Sequence, residues 1–384
     1  MNAKELNDLV RRGEDSRTQF KQDITNSESL GGDLVAFSNS KGGTILVGVN
    51  DQGSVKGLQT EDIRRINQLL SNTATNGVRP SINVETENVN VDNAIVMVVT
   101  VFEGVSKPYA DNKGIIWVKS GADKRKVTAR EEIQRMFQSL GLVYADEVPI
   151  ADTSPADIDV EHFRAFFEKQ YNEPLDTTPE SLKRTLENIG LAKDGVLNLA
   201  SVLLFGRNPQ RYRPVFVVKA VSFVGNEPTG NKYRDSEDIE GCLKNLHTHT
   251  MSFLTRNLRH VQGNKGVNTQ GDLEVQPQAL EELVVNMLLH RDYFISTPWR
   301  VFIFDNRIEL ISPGCLPNNL SVEHIRYGVS NMRNPLIASF ATKELPYRGI
   351  GTGIRRALAA APELSLLSDH DRNVFIATIP RKEN

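Results

Sequence analysis

One stretch decides the fold of the C-terminal part of this chain: Gln278-Ala279-Leu280-Glu281-Glu282-Leu283-Val284-Val285-Asn286-Met287-Leu288-Leu289-His290. Its composition favours a helix, and the four-residue spacing places Glu282, Asn286 and His290 on one face. Polar groups that are buried without partners cost about 1–3 kcal/mol each, so this polar face must meet water, a ligand or a metal. The functional interpretation is a nucleotide pocket in which oxygen ligands hold Mg²⁺. The structural alternative is a solvated helix edge.

A glycine-rich stretch, Gly349-Ile350-Gly351-Thr352-Gly353, follows further along the chain. Glycine adopts positive φ and lets the backbone approach a phosphate closely, and a helix predicted over 354–361 offers its N-terminal amides. Such a run is weak evidence by itself, since a tight loop has the same composition. Combined with the polar helix face, it predicts that phosphates bind beneath this loop.

Five motifs occur in order between Glu282 and Gly353. They are Glu282-x-x-x-Asn286, His290-Arg291-Asp292-Tyr293, Ser312-Pro313-Gly314-Cys315-Leu316-Pro317, Arg333-Asn334-Pro335 and Gly349-x-Gly351-x-Gly353. In this order they resemble the divergent ATPase module of the GHKL superfamily, which includes gyrase, histidine kinases and MutL. The resemblance is to the form found in bacterial proteins called transcriptional regulators or helicase-related.

The GHKL resemblance implies an α/β sandwich that binds ATP and Mg²⁺. It implies that Asn286 helps to hold Mg²⁺ on the phosphates and that Glu282 orients or deprotonates a water. The further nucleotide-contacting residues it implies are His290, Ser312, Gly314, Gly349, Gly351, Thr352 and Gly353. In the superfamily an aspartate just before a glycine reads adenine, whereas Ser312 and Pro313 precede Gly314 here. This departure leaves the base preference and hydrolysis open.

A second set of motifs lies in the first part of the chain. It comprises Gly13-Glu14, Gln19-Phe20-Lys21, Ala36-Phe37-Ser38-Asn39-Ser40-Lys41-Gly42-Gly43, Gly48-Val49-Asn50-Asp51 and Gly57. These motifs resemble the AlbA-type domain shared with Schlafen proteins, which implies a nucleic-acid-binding α+β domain. In some Schlafen relatives the resemblance also implies a three-carboxylate RNase site. Its acids would fall on Glu14, on the position held here by Gln19, and on Asp51.

The candidate nuclease site lacks one carboxylate at Gln19. Metal-assisted phosphodiester cleavage needs clustered anionic oxygens that hold divalent ions and lower the pKa of an attacking water. The amide removes a full negative charge, and neither Asp15 nor Asp23 stands at the motif position. A metal-dependent nuclease with Glu14 and Asp51 as catalytic residues, with a role in antiviral defence, is therefore the alternative hypothesis. The structural alternative is that both are surface acids beside turns.

A cluster of cations near Trp117 is the candidate nucleic-acid surface. Its members are Lys119, Lys124, Arg125, Lys126 and Arg130. Clustered cations neutralise phosphates and release counterions, and an aromatic neighbour can stack on a base. Glu131 and Glu132 follow directly in the sequence. The structural alternative to a nucleic-acid surface is therefore a solvent-exposed helix start that carries charges of both signs. The patch grows if the fold adds Lys21, Lys41 and Lys56.

Composition limits the class of protein. The 384 residues suffice for two or three domains, and 39% hydrophobic with 24% charged residues is typical of globular proteins. A net charge of −3 argues against a basic coat, so a polyanion must bind a local patch. No apolar run reaches the ~18 residues of a membrane span, and the N-terminus does not read as a signal peptide. Cys242 and Cys315 are too few for a disulfide framework and fit a reducing cytoplasm.

We therefore predict an α+β chain with an AlbA/Schlafen-like domain at 1–145, a mixed α/β middle domain at 156–270 and a GHKL-like domain at 271–384. The stretch Glu147 to Pro155, rich in Pro, Asp and Ala, is predicted to be a linker. The leading hypothesis is a cytoplasmic regulator, similar to transcription regulators, in which Mg-ATP alters how the basic surface engages DNA or RNA. By analogy with the GHKL family, we also expect the protein to form a homo-oligomer. A scaffold whose two sites have decayed is the third hypothesis.

Overall fold

The chain forms two compact units, Met1–Leu142 and Val143–Asn384. The computed structural model describes residues 1–139, 143–228, 232–262, 271–317 and 320–381. Each unit contains a β-sheet with helices packed on it, which confirms the predicted α+β fold. Within these ranges, no helix combines the length and apolar character that a membrane crossing needs.

The first unit is built on a four-stranded sheet. Its helices are α1 (Ala3–Arg12), α2 (Ser27–Asn39), α3 (Thr60–Asn76) and α4 (Arg130–Ser139). Its strands are β1 (Thr18–Lys21), β2 (Gly43–Val47), β3 (Val78–Arg79), β4 (Val84–Val91), β5 (Ala94–Val101), β6 (Ala110–Asp111), β7 (Trp117–Ser120) and β8 (Asp123–Lys126). The sheet has the order β1-β2-β5-β4, with β1 and β2 parallel and the other neighbours antiparallel. Two short ribbons, β3 with β6 and β7 with β8, complete the unit.

Helix α2 is the buried element of the first unit. It begins after Asn26, whose side chain accepts hydrogen bonds from the amides of residues 28 and 29. Leu34, Val35 and Phe37 are fully buried and pack against one face of the sheet, so the helix has no solvated stripe. A second core cluster contains Leu6 of α1 together with apolar side chains of β1, β2, β4 and β5. Both faces of the sheet are therefore covered.

The second unit contains the remaining elements. Its helices are α5 (Val160–Tyr171), α6 (Pro179–Asn188), α7 (Leu199–Phe205), α8 (Pro209–Tyr212), α9 (Leu243–Asn257), α10 (Pro277–Leu289), α11 (Val322–Arg326), α12 (Pro335–Glu344) and α13 (Gly353–Ala360). Its strands are β9 (Ala192–Lys193), β10 (Val196–Leu197), β11 (Val218–Phe223), β12 (Tyr233–Ile239), β13 (His260–Val261), β14 (Asp272–Leu273), β15 (Trp299–Ile303), β16 (Arg307–Pro313), β17 (Ser365–Asp369) and β18 (Val374–Pro380).

A six-stranded sheet organises the second unit. Its order is β12-β11-β15-β16-β18-β17, and among the described strands of this sheet only β11 and β15 run parallel. Helix α10 packs on this sheet within one continuous core cluster. The sheet takes strands from both predicted ranges, 156–270 and 271–384, so the second unit spans both of them.

The predicted linker at Glu147 to Pro155 is wrong, because this segment is part of the second unit's core. The side chain of Ile150 is 1% exposed, and its amide donates to the carbonyl of Leu197 at 2.8 Å. Thr153 is buried and donates to the carbonyl of Ile150 at 2.6 Å. The polar composition suggested exposure, but one buried isoleucine and a satisfied threonine are enough to fix the segment.

Candidate nucleotide site and nucleic-acid surface

Helix α10 carries the predicted polar face into the interior of the second unit. Pro277 occupies its first turn, where a missing amide hydrogen costs nothing. Leu283, Val284 and Leu288 are at most 3% exposed, and Glu282 is itself buried. Asn286 and His290 are half-buried and line a cavity. The polar face therefore meets a cavity and a neighbouring helix instead of forming a solvated edge.

The C-terminal end of α10 is held by three side chains from the predicted motifs and by Trp299, which lies outside them. The carbonyl of Met287 accepts hydrogen bonds from Trp299 Nε1 (2.9 Å) and Ser312 Oγ (3.1 Å). The carbonyl of Leu288 accepts one from Tyr293 Oη (2.9 Å). The carbonyl of Leu289 accepts one from Asn334 Nδ2 (2.8 Å). The last carbonyls of a helix have no partners within the helix, so a buried helix end requires such donors. These four side chains thereby fix the position of Asn286 and His290.

Arg291 is a fully buried cation beside this helix end. Its guanidinium carbon lies 4.4 Å from the ring centroid of Trp299 and 4.5 Å from that of Phe216. Its Nη2 donates to the carbonyls of Ile295 and Thr297, each at 2.6 Å. Burial lowers the pKa of Arg291 to about 10, so the side chain stays charged at neutral pH. The arginine holds the turn after α10 through aromatic faces and backbone carbonyls.

The cavity lies between α10, the sheet and the glycine-rich loop. Its empty volume is about 1070 Å³, counted together with the solvent at its mouth. One wall is apolar and includes Leu283, Met287, Leu310, Phe375 and Ala377. The polar lining includes the side chains of Arg333, Arg348 and Arg356. No aspartate or glutamate lines it in the part of the chain that the structure describes, so the cavity suits an anion with an apolar portion.

At two positions, Gly351 and Gly353, the glycine-rich loop approaches neighbouring atoms too closely for a side chain. Gly351 has φ of +70°, and a Cβ added there would lie 2.9 Å from the carbonyl oxygen of Gly328. A Cβ at Gly353, the first residue of α13, would lie 2.8 Å from Glu282 Oε2 and 3.0 Å from Asn286 Nδ2. The predicted residues Gly349, Gly351, Thr352 and Gly353 all line the cavity. The structure therefore brings the loop and the polar face of α10 together.

Glu282 forms an ion pair with Arg356 of α13. Arg356 Nε lies 2.5 Å from Glu282 Oε1, and Arg356 Nη1 donates to Thr352 Oγ1 at 2.7 Å. The cavity lining includes Arg356 but not Glu282. In this conformation the carboxylate predicted to act on a water is occupied by a guanidinium. The Glu282–Arg356 pair was not foreseen from the sequence.

Asn286 and His290 present neutral polar groups to the cavity. Asn286 Nδ2 donates to the carbonyl of Glu282 at 2.6 Å, which leaves Oδ1 available to a ligand. Burial, together with the nearby Arg333, lowers the pKa of His290 to about 4. Its imidazole is therefore neutral at pH 7 and can donate or accept one hydrogen bond. Burial also lowers the pKa of Arg333, and its Nη2 donates to the carbonyl of Cys315 at 3.0 Å.

Ser312 and Gly314 lie on the cavity wall at the end of β16. Ser312 is buried, and its hydroxyl is engaged with the Met287 carbonyl. Gly314 has φ of +98°, and a Cβ there would lie 2.5 Å from Arg333 Nη1 and 2.6 Å from Asp292 Cβ. The glycine is required by both its conformation and this close packing.

The candidate nuclease residues of the first unit are only partly assembled. Glu14 is exposed, and its Oε1 accepts from the amide of Phe20 at 2.7 Å. Asp51 is exposed in the turn that follows β2. Gln19 lies on β1 opposite Ile45, and its Oε1 is buried without a hydrogen-bond partner. Among the described residues, no three His, Cys, Asp or Glu side chains form a group that could hold a metal ion.

The five predicted cations lie on the β7–β8 ribbon and at the start of α4, and three of them are engaged within the protein. Lys119 lies 4.8 Å from the ring centroid of Phe37 and donates to the carbonyl of Ala122, and burial lowers its pKa. Arg125 forms a two-pronged pair with Glu132, at 3.0 and 2.6 Å, which raises the pKa of the arginine.

Lys124 binds Asp33, whereas Lys126 and Arg130 remain exposed. Lys124 Nζ lies 2.8 Å from Asp33 Oδ1 and 5.3 Å from the ring centroid of Trp117. Lys126 lies 5.4 Å from the same ring, so the indole expected to stack on a base contacts lysines instead. Lys126 and Arg130 are therefore the members of the predicted set most open to a polyanion.

Asp33 is the residue of this surface that sequence reasoning missed. It is 3% exposed on α2 and pairs with Lys124 and, at 3.6 Å, with Lys21. A Cβ at the preceding Gly32 would lie 2.9 Å from Lys124 Nζ, so the glycine makes room for the lysine. A carboxylate and two glycines within the otherwise apolar stretch 30–37 of α2 were the available signal. The fold thus adds Lys21 to the cation cluster, as the sequence analysis allowed.

Two family models match the chain. Residues 14–128 match the model described as "Schlafen, AlbA_2", and residues 297–376 match the model described as "Putative ATP-dependent DNA helicase recG C-terminal". The chain thus carries an AlbA_2/Schlafen domain in its first unit and an ATPase-like domain in its second. The second match contains Ser312 and the glycine-rich loop but begins after Glu282, Asn286 and His290.

Two solved structures are similar to the chain at low identity. The DIP2311 protein from Corynebacterium diphtheriae is 17% identical, with a TM-score of 0.46 over 99% of this chain and 69% of that chain. The N-terminal domain of a "Putative ATP-dependent DNA Helicase RecG-related Protein" from Nitrosomonas europaea is 22% identical, with a TM-score of 0.24 over 34% of this chain and 96% of that chain. No curated protein matches the sequence. At these TM-scores neither structure bears on the sites.

Proposed function

We propose that this protein is a nucleotide-responsive regulator, in which Mg-ATP bound in the cavity of the second unit changes how the first unit engages DNA or RNA. One observation carries the proposal: a cavity with an apolar wall, a glycine-rich loop and three arginines, and no carboxylate in its described lining. Such a lining matches a ligand with a flat apolar ring at one end and phosphates at the other.

The proposed orientation follows from where the charges lie. The phosphates take the end formed by Asn286, the loop Gly349–Gly353 and Arg356, where backbone amides and guanidinium groups can donate. The base takes the apolar wall near Leu310 and Phe375, beside Ser312 and Gly314, where the guanidinium of Arg333 lies close to Gly314. A neutral serine there rejects other bases less strongly than an acid would, so the preference for adenine is expected to be modest.

Magnesium fits this site as an ion held mainly by the nucleotide. Mg²⁺ prefers oxygen ligands and often keeps several waters, with one or two protein ligands beside the phosphates. Asn286 Oδ1 is the protein oxygen that the hydrogen bond to Glu282 leaves available. Bound Mg²⁺ would supply neutralisation of phosphate charge.

The nucleic-acid part of the proposal rests on the first unit's cation cluster and its AlbA_2/Schlafen domain. Lys126 and Arg130 make the first contact with phosphates, and Lys21, Lys119 and Lys124 supply a positive field held in place by Asp33. A nucleotide can act on this surface only if it binds two states of the protein with different affinities.

Self-association also belongs to the proposal, because three apolar or aromatic side chains near the glycine-rich loop are exposed. Tyr327, Val329 and Ile350 expose 83, 50 and 67% of their surface.

The test is nucleic-acid affinity with and without nucleotide. Fluorescence anisotropy with labelled single-stranded DNA, duplex DNA and RNA should show a dissociation constant that changes about 5-fold or more with saturating Mg-ATP. For duplex DNA, Lys126→Ala with Arg130→Ala should lower the slope of log affinity against log salt by about 0.9 per lost phosphate contact. The matched control is Lys4→Ala with Arg12→Ala, on exposed positions of α1. Equal affinity with and without nucleotide for every oligonucleotide would contradict the proposal.

The nuclease alternative is not proposed here. Gln19 leaves its carboxylate set incomplete, and the described residues hold no group of three metal-ligating side chains at Glu14 and Asp51. The same anisotropy samples, resolved on a denaturing gel, show whether any oligonucleotide is cut.

A further inference from the structure

We propose that Arg356 keeps Glu282 in an ion pair that the phosphates of a bound nucleotide break, so that Arg356 binds phosphate and Glu282 becomes free only in the nucleotide-bound state. This inference rests on the proposed function, since it assumes that the cavity takes a nucleotide. It adds a residue, Arg356, and a regulatory step to that site.

Position is the first reason. Arg356 stands between the buried carboxylate and the cavity: it lines the cavity, while Glu282 lies behind it with 8% exposure. The pair is short, at 2.5 Å, and joins α10 to α13, the helix that follows the glycine-rich loop. A ligand beneath that loop meets the guanidinium before it meets the carboxylate.

The hydrogen bonding of Arg356 is the second reason. Its Nε is used by Glu282 and its Nη1 by Thr352 of the loop. Its Nη2 has no hydrogen-bond partner within the described ranges. Arginine binds carboxylates and phosphates best through two parallel hydrogen bonds, but Glu282 receives only one from Arg356. A phosphate that takes two guanidinium nitrogens therefore offers the arginine a better partner than Glu282 does.

Packing on α13 is the third reason, because it leaves Glu282 little room to follow Arg356. Glu282 Oε2 lies 2.8 Å from the position that a Cβ on Gly353 would take, so the carboxylate packs closely against the start of α13. Movement of Arg356 toward a phosphate carries Thr352 with it through their 2.7 Å hydrogen bond. The same motion that frees Glu282 thus rearranges the loop over the ligand. This couples nucleotide occupancy to the shape of the loop.

Release gives the carboxylate a chemical use. A water oxygen attacks the γ-phosphorus of ATP, the bond between that phosphorus and the β–γ bridging oxygen breaks, and the electron pair stays on ADP. The water proton passes to a Glu282 oxygen, and the products are ADP and inorganic phosphate. While Arg356 holds the Glu282 carboxylate, the carboxylate oxygen is not available to take this proton. Hydrolysis therefore requires that the phosphates first draw Arg356 away from Glu282.

The experiment is a double-mutant cycle on nucleotide affinity. Isothermal titration measures binding of Mg-ATP and of AMP to the wild type, Glu282→Gln, Arg356→Ala and the double variant. Opening the pair costs binding energy in the wild type, so Glu282→Gln should bind Mg-ATP about tenfold more tightly. Arg356→Ala should bind about tenfold more weakly, and the double variant should match Arg356→Ala. AMP, which lacks the β- and γ-phosphates, should bind wild type and Glu282→Gln alike.

Neighbouring residues give matched controls. Glu281→Gln changes the adjacent carboxylate on α10, and Arg355→Ala removes the adjacent exposed arginine on α13; neither lines the cavity, and neither should change Mg-ATP affinity. Since glutamine has the shape of glutamate, the Glu282→Gln arm stands even where Arg356→Ala fails to fold. Wild-type binding of Mg-ATP with no tightening in Glu282→Gln would overturn the ion-pair switch and leave the proposed function intact. Absence of Mg-ATP binding in the wild type would overturn both.

Discussion

A single buried carboxylate, Asp33, organises the cations of the first unit. It holds Lys124 at 2.8 Å and Lys21 at 3.6 Å while it is almost inaccessible to water. A charge in this position is stable only when it is paired, since desolvation of an isolated carboxylate is costly. The sequence shows Asp33 in an apolar helix, but its partner Lys124 comes from a distant ribbon, and that pairing cannot be predicted without the fold.

We predict that Asp33→Asn destabilises the first unit by about 3 kcal/mol, because it leaves Lys124 half-buried without its counterion. The control is Glu28→Gln on the same helix, which breaks an exposed pair with Lys113 and should cost less than about 1 kcal/mol. Hydrogen exchange of the α2 amides measures both, because it reports on this unit alone. Equal effects of the two substitutions would contradict the assigned role of Asp33.

At the scale of elements, the junction of α5, α9 and α12 contains a histidine, His162, whose pKa is strongly raised. His162 Nε2 of α5 lies 2.6 Å from Glu344 Oε2 at the end of α12, and Cys242 caps α9 beside them. Hydrogen bonds with Cys242 and with Glu344 raise the pKa of His162 to about 9. The protonated imidazole therefore links three helices of the second unit.

The raised pKa predicts a pH dependence of unfolding. The stabilisation that protonated His162 gives to the folded state is fully present below pH 6.5, the ordinary pKa of histidine. It is lost as the pH rises through about 9, the pKa of His162 in the folded protein. We expect the free energy of unfolding of the second unit to fall across this window in the wild type and to be flatter in His162→Gln. Trp117→Phe leaves Trp299, in the second unit, as the only tryptophan, so its emission is the readout. The same slope with and without His162 would refute the assignment.

Elements with a strong pattern of their own were predictable, and those fixed by distant contacts were not. Helix α10 was expected over 278–290 and spans Pro277–Leu289, because its composition and the spacing of its polar residues lie within the segment itself. The segment around Ile150 was expected to be exposed, yet its backbone pairs with Leu197 and Asn198. Its local composition carries no trace of those partners.

At the scale of the whole molecule, the two units follow the two sets of sequence motifs. The motif order predicted that Asn286 and the Gly349–Gly353 loop share a site, and both line one cavity. The sequence could not show that Glu282 is held by Arg356, 74 residues away, or that three arginines line the same cavity. Such pairings depend on how α13 packs on α10, which only the fold determines. They decide the charge of the site and hence the class of ligand it suits.

Isothermal titration of Mg-ATP tests directly whether a nucleotide binds beside Asn286. Wild-type protein and Gln278→Ala, an exposed change on the same helix, should bind with equal affinity, whereas Asn286→Ala should bind at least about tenfold more weakly. Parallel titrations with Mg-ADP and Mg-GTP report the phosphate and base preferences. Equal binding by Asn286→Ala and wild type, or no binding by the wild type, would contradict the central claim.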